Sequence, residues 1–159
     1  MELKKIGKEE AIDCMQLMKA STKGDDYHGY EYDEINWCSY FMGIVKKQYE
    51  GDVNHIAHCV YRDGHLLGFM TGSTFNNYYN NTPIMDVKDM IVDESQSQLT
   101  KAKVTMKLFD NMIEYTKSKG GTQWRADSIR TEELAMNYAK FLQKKYGCAI
   151  HTSARGIIE

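Results

Sequence analysis

The segment from Ile84 to Asp127 constrains the fold of this chain more than any other part of the sequence. Ile84 to Val92 has the apolar and β-branched content of a strand, Leu99 to Lys119 has the apolar spacing of a long helix, and Thr122 to Asp127 again has the pattern of a strand. Gly120 and Gly121 end the helix, as glycine commonly does. A strand, a helix and a second strand in this order predict a parallel crossover in a sheet.

The region before this crossover predicts a β-hairpin. Val53 to Tyr61 and Leu66 to Thr71 are both rich in β-branched and aromatic residues, and the Asp63-Gly64 pair between them is typical of a tight turn. Phe75 to Pro83 is rich in Asn and Tyr and is expected to be a polar loop that leads into the strand from Ile84. We therefore expect a three-stranded meander ahead of the long helix.

The remaining patterns complete one domain over residues 1–159. Asp33 is expected to cap a helix that ends near Gly51, after a polar loop from Ser21 to Tyr30. The other expected elements are a strand at Glu2 to Ile6, helices at Lys8 to Ala20 and Glu132 to Tyr146, and one or two strands within Ala149 to Ile158. Gly147 is the expected stop of the second of these helices. The predicted class is α/β or α+β, with one mixed sheet and helices on both faces.

Composition excludes some classes of function. A formal net charge of −2 gives no basic field for a phosphate backbone, so nucleic acid is a possible partner that the charge does not indicate. No apolar stretch approaches the roughly 20 residues that span a bilayer, so we expect no membrane contact. The N-terminal residues do not form a signal peptide, and four widely spaced cysteines are expected to be free thiols. These features predict a cytoplasmic protein.

The histidines do not predict a metal site. His55 and His58 are close in sequence, but a strand would direct them to opposite faces. Neither a C-x-x-C pair nor a histidine pair at helical ligand spacing occurs in the sequence. We expect no bound metal.

Three segments together resemble the GNAT superfamily of acyl-CoA-dependent N-acyltransferases. His55 to Ser73 resembles the family's hairpin of strands two and three, Val87 to Asp93 its fourth strand, and Ala139 to Cys148 its last helix and turn. The resemblance implies a single GNAT-like domain, with a mostly antiparallel twisted sheet and a splayed central parallel strand pair. It also implies that acetyl-CoA is a co-substrate whose pantetheine arm lies between the splayed strands. The implied backbone contacts fall on Met90, Ile91 and Val92.

The family's pyrophosphate motif, Arg/Gln-x-x-Gly-x-Gly/Ala, has no glycine in this sequence. It falls on the start of the long helix, at Thr100, Lys101, Ala102, Lys103, Val104 and Thr105. Lys103 and Thr105 stand where glycine would let the backbone approach phosphate oxygens. The lysines of this segment either supply phosphate contacts through their side chains or are ordinary solvated helix residues. Both interpretations stay open at this point.

Candidate catalytic residues come from the same resemblance. A carboxylate often serves as the base, and Asp86 and Asp89 on the predicted strand are the candidates. They are three residues apart, so they face opposite sides of the sheet unless a bulge intervenes. The family's usual acid, a tyrosine, falls on Gln143, which leaves Tyr146 or Tyr138 as substitutes. Each of these residues also has a plain structural interpretation, as a solvated carboxylate or a packed ring.

An aromatic wall is predicted on and before the second helix. It comprises Trp37, Tyr40, Phe41 and Tyr49, preceded by Tyr27, Tyr30 and Tyr32. In the family this region shapes the acceptor pocket, although inward-facing rings are equally explained as core.

The leading functional prediction is an N-acetyltransferase that moves the acetyl group of acetyl-CoA to a primary amine by direct attack. The acceptor stays open between a small amine, a protein terminus or lysine, and a modified base. The alternative is a catalytically inactive, GNAT-like binding or regulatory protein that has lost the cofactor, as the missing glycines suggest. A third possibility is another small α/β fold, which a helix at Val53 to Thr71 would indicate. A sheet edge near the C-terminus would allow a homodimer.

Overall fold

A computed structural model describes residues 1–22, 33–126 and 132–150 of the chain. Its elements are β1 (Glu2–Lys5), α1 (Lys8–Ser21), α2 (Glu34–Tyr49), β2 (His55–Arg62), β3 (His65–Asn76), β4 (Pro83–Val92), α3 (Gln98–Ser118), β5 (Gln123–Ala126) and α4 (Glu132–Tyr146). The chain divides into two compact units, of which the first holds β1–β5 and α1–α3 and the second holds α4. The element order and types agree with the sequence prediction as far as α4.

The strands of the first unit form one mixed sheet in the order β1-β2-β3-β4-β5. The first three strand pairs are antiparallel, and the fourth, β4 with β5, is parallel. The crossover predicted from the sequence is therefore present, with α3 as its helix. The tight turn between β2 and β3 is also confirmed, because Asp63 and Gly64 both have positive φ, at 53° and 80°.

Helices cover both faces of this sheet. Ala57, Cys59 and Phe69 pack in one buried cluster with residues of α1 and α2. Alternate residues of the strands face α3 instead, because side chains in a strand alternate between faces. His58 of β2, for example, is hydrogen-bonded at 2.8 Å to Asn111 of α3. Within the first unit, α1 and α2 on one face and α3 on the other agree with the predicted fold class.

Gly68 allows α3 to lie close to the sheet. A Cβ atom on Gly68 would be 2.7 Å from the carbonyl oxygen of Ile91 and 2.9 Å from Cγ1 of Val104. Any larger residue would push α3 away from β3 or shift β4. The glycine in the Leu67-Gly68-Phe69 sequence is thus explained by packing of α3 beside β4.

Several boundaries differ from the sequence prediction. β3 continues to Asn76, five residues beyond its predicted end, because Thr74 and Phe75 pair with Met85 and Ile84 of β4. The polar loop is correspondingly shorter, and β4 begins at Pro83. Ala149 and Ile150 are not in a strand, and the rest of the predicted final strands lies outside the described residues.

The described residues give four further results. Strands occupy the hairpin region, which excludes the alternative fold with a helix there. All four cysteines are free thiols, as predicted. Within the described residues, no helix is both long and apolar enough to cross a membrane, and no group of three His, Cys, Asp or Glu side chains is arranged to hold a metal ion.

Candidate active site

A β-bulge in β4 brings the two predicted carboxylates to one face of the sheet. Gly72 of β3 is paired with Val87, but the next residue, Thr71, is paired with Asp89, so Lys88 is the extra residue of the ladder. The extra residue shifts the alternation of side chains by one position. Asp86 and Asp89 therefore both lie on the face that α1 and α2 cover.

Asp89 is partly buried, and both of its carboxylate oxygens accept hydrogen bonds. Nε1 of Trp37 donates to Oδ1 at 3.0 Å, and the hydroxyl of Thr71 donates to Oδ2. Burial raises the pKa of Asp89 above its ordinary value, although these two hydrogen bonds and the charge of Lys88 act in the opposite direction. A carboxylate with a raised pKa in a fixed orientation is the kind of group that serves as a general base.

Asp86 has a different environment although it lies on the same strand. Its side chain is buried, and Arg125 of β5 donates to it twice, from Nε at 2.9 Å to Oδ1 and from Nη2 at 3.1 Å to Oδ2. The ammonium of Lys88 is a second cation on Oδ2. Burial raises the pKa of Asp86, but these hydrogen bonds and charges outweigh burial, so the net pKa is lowered. Asp86 is therefore an ionised partner of two cations.

Aromatic side chains of α2 form one wall beside Asp89. Trp37 stacks on Phe41 with ring centroids 4.8 Å apart, and Phe41 is completely buried. Tyr40 has 47% of its surface exposed, and burial together with the charges of Asp89 and Asp86 raises its pKa. The predicted wall thus divides into Phe41 in the core and Tyr40 at the surface near the carboxylates. Tyr49 is exposed, and Tyr27, Tyr30 and Tyr32 lie outside the described residues.

The backbone of β4 beyond the bulge has peptide groups that point away from β3. The amide of Asp93 donates to the carbonyl of Leu67 on β3 at 2.9 Å. Because peptide groups alternate direction along an antiparallel strand, Ile91 also points toward β3, whereas Met90 and Val92 point to the side of β5. The described part of β5 ends at Ala126, which is paired with Val87. Of the three predicted backbone positions, Met90 and Val92 have the required direction and Ile91 does not.

The start of α3 carries the predicted phosphate-binding residues. Ser97 caps the helix by accepting a hydrogen bond from the amide of Thr100 at 3.3 Å. Lys101 is paired with Glu94 at 2.7 Å, and Lys103 is exposed. Val104 and Thr105 are buried, and Ala102 is half-buried. The residues that replace the two glycines therefore project differently, Lys103 toward solvent and Thr105 into the core.

The architecture matches known solved structures over nearly the whole chain, whereas no protein-family model and no curated protein sequence matches it. An aminoglycoside 6'-N-acetyltransferase from Acinetobacter haemolyticus is 12% identical with a TM-score of 0.71, and the alignment covers 100% of this chain and 98% of that one. A ribosomal-protein-alanine N-acetyltransferase from Brucella melitensis is 12% identical with a TM-score of 0.67 and complete coverage of both chains. An acetyltransferase from Trypanosoma brucei is 15% identical with a TM-score of 0.66, and 99% of each chain is covered.

The chain has the GNAT fold. The resemblance read from the sequence is confirmed at the level of the fold. At identities of 12 to 15% the similarity shows the fold alone.

The two predicted proton donors, Tyr138 and Tyr146, lie in α4, in the second unit of this GNAT fold. Tyr138 is half-buried, and burial followed by the charge of Tyr146 raises its pKa. The carbonyl of Gln143 accepts from the amide of Gly147, whose φ of 65° ends the helix as the sequence predicts.

Four residues that contact Asp86 or Asp89 are not predicted in these roles by the sequence. Trp37 is predicted only as part of the aromatic wall, and no role is predicted for Thr71, Lys88 or Arg125. Only the spacing of Asp86 and Asp89 carried a signal, because it required a bulge before both carboxylates could share one face.

Proposed function

We propose that this chain is an N-acetyltransferase that moves the acetyl group of acetyl-CoA to a primary amine by direct attack, with Asp89 as the general base. One observation carries the proposal. Asp89 lies next to the bulge, immediately before peptide groups of β4 that point away from β3, and its carboxylate has a raised pKa and two fixed hydrogen bonds. A proposed base and peptide groups of β4 that point away from β3 are thus adjacent.

The role of Asp89 follows from what the reaction requires. A primary amine is protonated at neutral pH, and it must lose a proton before or during attack on a thioester. Asp89 accepts that proton directly or through one water molecule, and its raised pKa makes it a stronger base than an ordinary aspartate. Trp37 and Thr71 hold the carboxylate in one orientation, which is a condition for efficient proton transfer.

Acetyl-CoA supplies an activated acyl thioester, and the chain has groups suited to holding it. The peptide groups of Met90 and Val92 are the proposed partners of the pantetheine arm, in the manner of strand addition. The first turn of α3 offers amide groups and the positive end of the helix dipole to the pyrophosphate. Lys101 and Lys103 add positive charge near this turn.

The leaving thiolate needs a proton, and the resemblance to the family leaves Tyr146 and Tyr138 as the candidate donors. Burial raises the pKa of Tyr138, which makes its phenol a weaker acid. Tyr146 lies at the end of α4, three residues after Gln143. Tyr138 is kept as the second candidate, and a variant with Phe at either position tests each role separately.

A second candidate function is a GNAT-like binding or regulatory protein without acetyl-CoA chemistry. Lys103 and Thr105 at the two glycine positions favour it, because glycine lets the backbone come closest to phosphate oxygens. The burial of Thr105 reduces this objection, since its side chain does not extend toward a ligand at the exposed helix start.

Isothermal titration of the full chain with acetyl-CoA separates the two functions. We expect saturable heat with a Kd on the order of 1 μM to 1 mM, the usual range for enzyme substrates. Titration with free coenzyme A should give similar heat, because the proposed contacts are to the pantetheine and phosphate groups. An absence of heat for both ligands at high micromolar protein would contradict the proposal and favour the binding protein. The amine acceptor, a homodimer and a cytoplasmic location stay predictions that this titration does not test.

A further inference from the structure

Lys88 occupies the bulge between the two carboxylates. As the extra residue of the β4 ladder, it has no partner residue on β3. Its ammonium contacts Asp86, two residues earlier, so its side chain lies on the same face of the sheet as both carboxylates. Asp89, the proposed base, is the next residue along β4, and the charge of Lys88 acts against the burial that raises the pKa of Asp89. Lys88 is therefore a cation beside the place where an amine would be deprotonated.

Asp86 does not need Lys88 for its own neutralisation. The guanidinium of Arg125 already contacts both carboxylate oxygens of Asp86, at 2.9 and 3.1 Å, which is the strong bidentate arrangement. Lys88 adds a second positive charge to the one negative charge of Asp86. A third of the Lys88 side chain is exposed and an ammonium has three hydrogen-bond donors, so Lys88 can donate to a ligand while it keeps its contact with Asp86. The contact between Lys88 and Asp86 keeps the ammonium in place until a ligand arrives.

We propose that the acceptor amine carries an anionic group, a carboxylate or a phosphate, and that Lys88 binds that group. This inference rests on the proposed function and specifies the substrate class of the same site. The ammonium is a compact donor of three hydrogen bonds, which suits either anion. An acceptor that carries a second cation in place of the anion is disfavoured, because that cation would lie against the ammonium of Lys88.

The register of β4 favours a short acceptor. Lys88 and Asp89 are consecutive residues, and Asp86, which Lys88 contacts, is paired with Ser73, only two residues from the Thr71 that is paired with Asp89. An amine directed at Asp89 with an anion directed at Lys88 needs a spacer of only a few bonds. Amines that carry a carboxylate or phosphate two carbons away satisfy this requirement.

A matched series of two-carbon amines tests the proposal with the full chain. The probes are ethanolamine, which has a neutral arm, β-alanine, which has a carboxylate, O-phosphoethanolamine, which has a phosphate, and ethylenediamine, which has a second cation. Binding is measured by calorimetry with coenzyme A present, and transfer is measured as thiol release from acetyl-CoA with mass spectrometry of the product. We expect at least one anionic amine to be preferred over ethanolamine by about tenfold in kcat/KM and in affinity, and ethylenediamine to be the poorest substrate.

Two variants of Lys88 provide the decisive comparison. Lys88→Ala should reduce the preference for the anionic amine over ethanolamine to about onefold to twofold, and Lys88→Glu should reverse it in favour of ethylenediamine. Lys47→Glu, a charge reversal at an exposed position of α2, is the matched control and should leave the preference unchanged. Circular dichroism confirms that each variant is folded, and Lys88→Ala alone suffices if Lys88→Glu does not fold.

The outcomes separate this inference from the proposed function. If acetyl-CoA binds but no anionic amine is bound or acetylated better than ethanolamine, the role of Lys88 is overturned while the acetyltransferase proposal stands on its own titration. If Lys88→Ala keeps the full preference, another group binds the anion and the assignment to Lys88 is wrong. Preference for β-alanine or for O-phosphoethanolamine identifies which anion the site takes. The preference should also decrease as sodium chloride is raised, because salt screens partly exposed charges.

Discussion

The bulge of β4 and the start of α3 are the two ends of the proposed acetyl-CoA site, and they are built in different ways. At the bulge, Asp86 is buried and Asp89 partly so, and every carboxylate oxygen accepts a hydrogen bond. At the start of α3, Lys103 is exposed and Lys101 is paired with an exposed glutamate. Charges interact more strongly where water is excluded. The proposed acyl end therefore has fixed, partly buried charge contacts, whereas the proposed phosphate end has weaker charges that are screened by water.

The largest effect is expected from removing the proposed base. Asp89→Asn should lower kcat by about 10² to 10⁴, the usual contribution of a general base. The amide can still accept from Nε1 of Trp37 and donate to the hydroxyl of Thr71, so the local structure should be retained. Thiol release from acetyl-CoA with the best acceptor of the amine series measures the loss.

The matched control for this prediction is the same substitution three residues earlier. Asp86→Asn lies on the same strand and face, but Asp86 is held in ion pairs rather than poised as a base. We expect it to lower kcat far less than Asp89→Asn does. Equal losses for the two variants would mean that Asp89 has no special catalytic role.

The same two variants should change stability in opposite directions. The folded-state pKa of Asp86 is lowered, so this carboxylate adds stability above its ordinary pKa of 3.8 that is lost as the pH falls through the folded value. Asp86→Asn should therefore reduce the free energy of unfolding at pH 7 by about 2 kcal/mol, because the new amide hydrogens face Arg125 and Lys88. This corresponds to a decrease in Tm of about 6 °C.

Asp89 has the opposite linkage. Its folded-state pKa is raised, so the stability it contributes is present below the unfolded pKa and is lost as the pH rises through the folded value. At pH 7 the ionised, partly buried carboxylate is a cost, and Asp89→Asn should raise Tm by about 2 °C. Thermal melts at pH 7 and at lower pH check both signs. The deficit of Asp86→Asn should shrink below pH 3.8, and a lowered Tm for Asp89→Asn at pH 7 would contradict the assigned environment.

Local patterns explain how much of the fold was predictable. The Asp63-Gly64 turn, the cap at Asp33 and the stop at Gly147 depend on one or a few neighbouring residues, and all three are confirmed. The end of β3 was not predictable, because its last residues are strand only through pairing with β4. Strand ends set by a partner strand leave little trace in the sequence of the strand itself.

The candidate site was less predictable than the fold because its contacts are distant in sequence. Asp89 meets Trp37 across 52 positions and Thr71 across 18. The difference between Asp86 and Asp89 is made by Arg125, whose contact with Asp86 spans 39 positions. A bulge depends on the register of two strands, so the sequence showed only that one was needed.

The smallest effect is expected at the start of α3, where the comparison predicts weak and screened interactions. The double variant Lys101→Ala/Lys103→Ala should weaken coenzyme A binding by about twofold to fivefold and flatten its dependence on salt. Removing Lys101 also leaves Glu94 without its partner, so Glu94→Gln should instead strengthen binding slightly. Calorimetric titrations at two salt concentrations measure both changes, and Lys117→Ala/Lys119→Ala at the other end of the helix is the matched control. An unchanged affinity for coenzyme A in the first double variant would show that Lys101 and Lys103 are ordinary solvated helix residues with no role in binding. A loss much larger than fivefold would instead show that the phosphate end is as precisely built as the bulge.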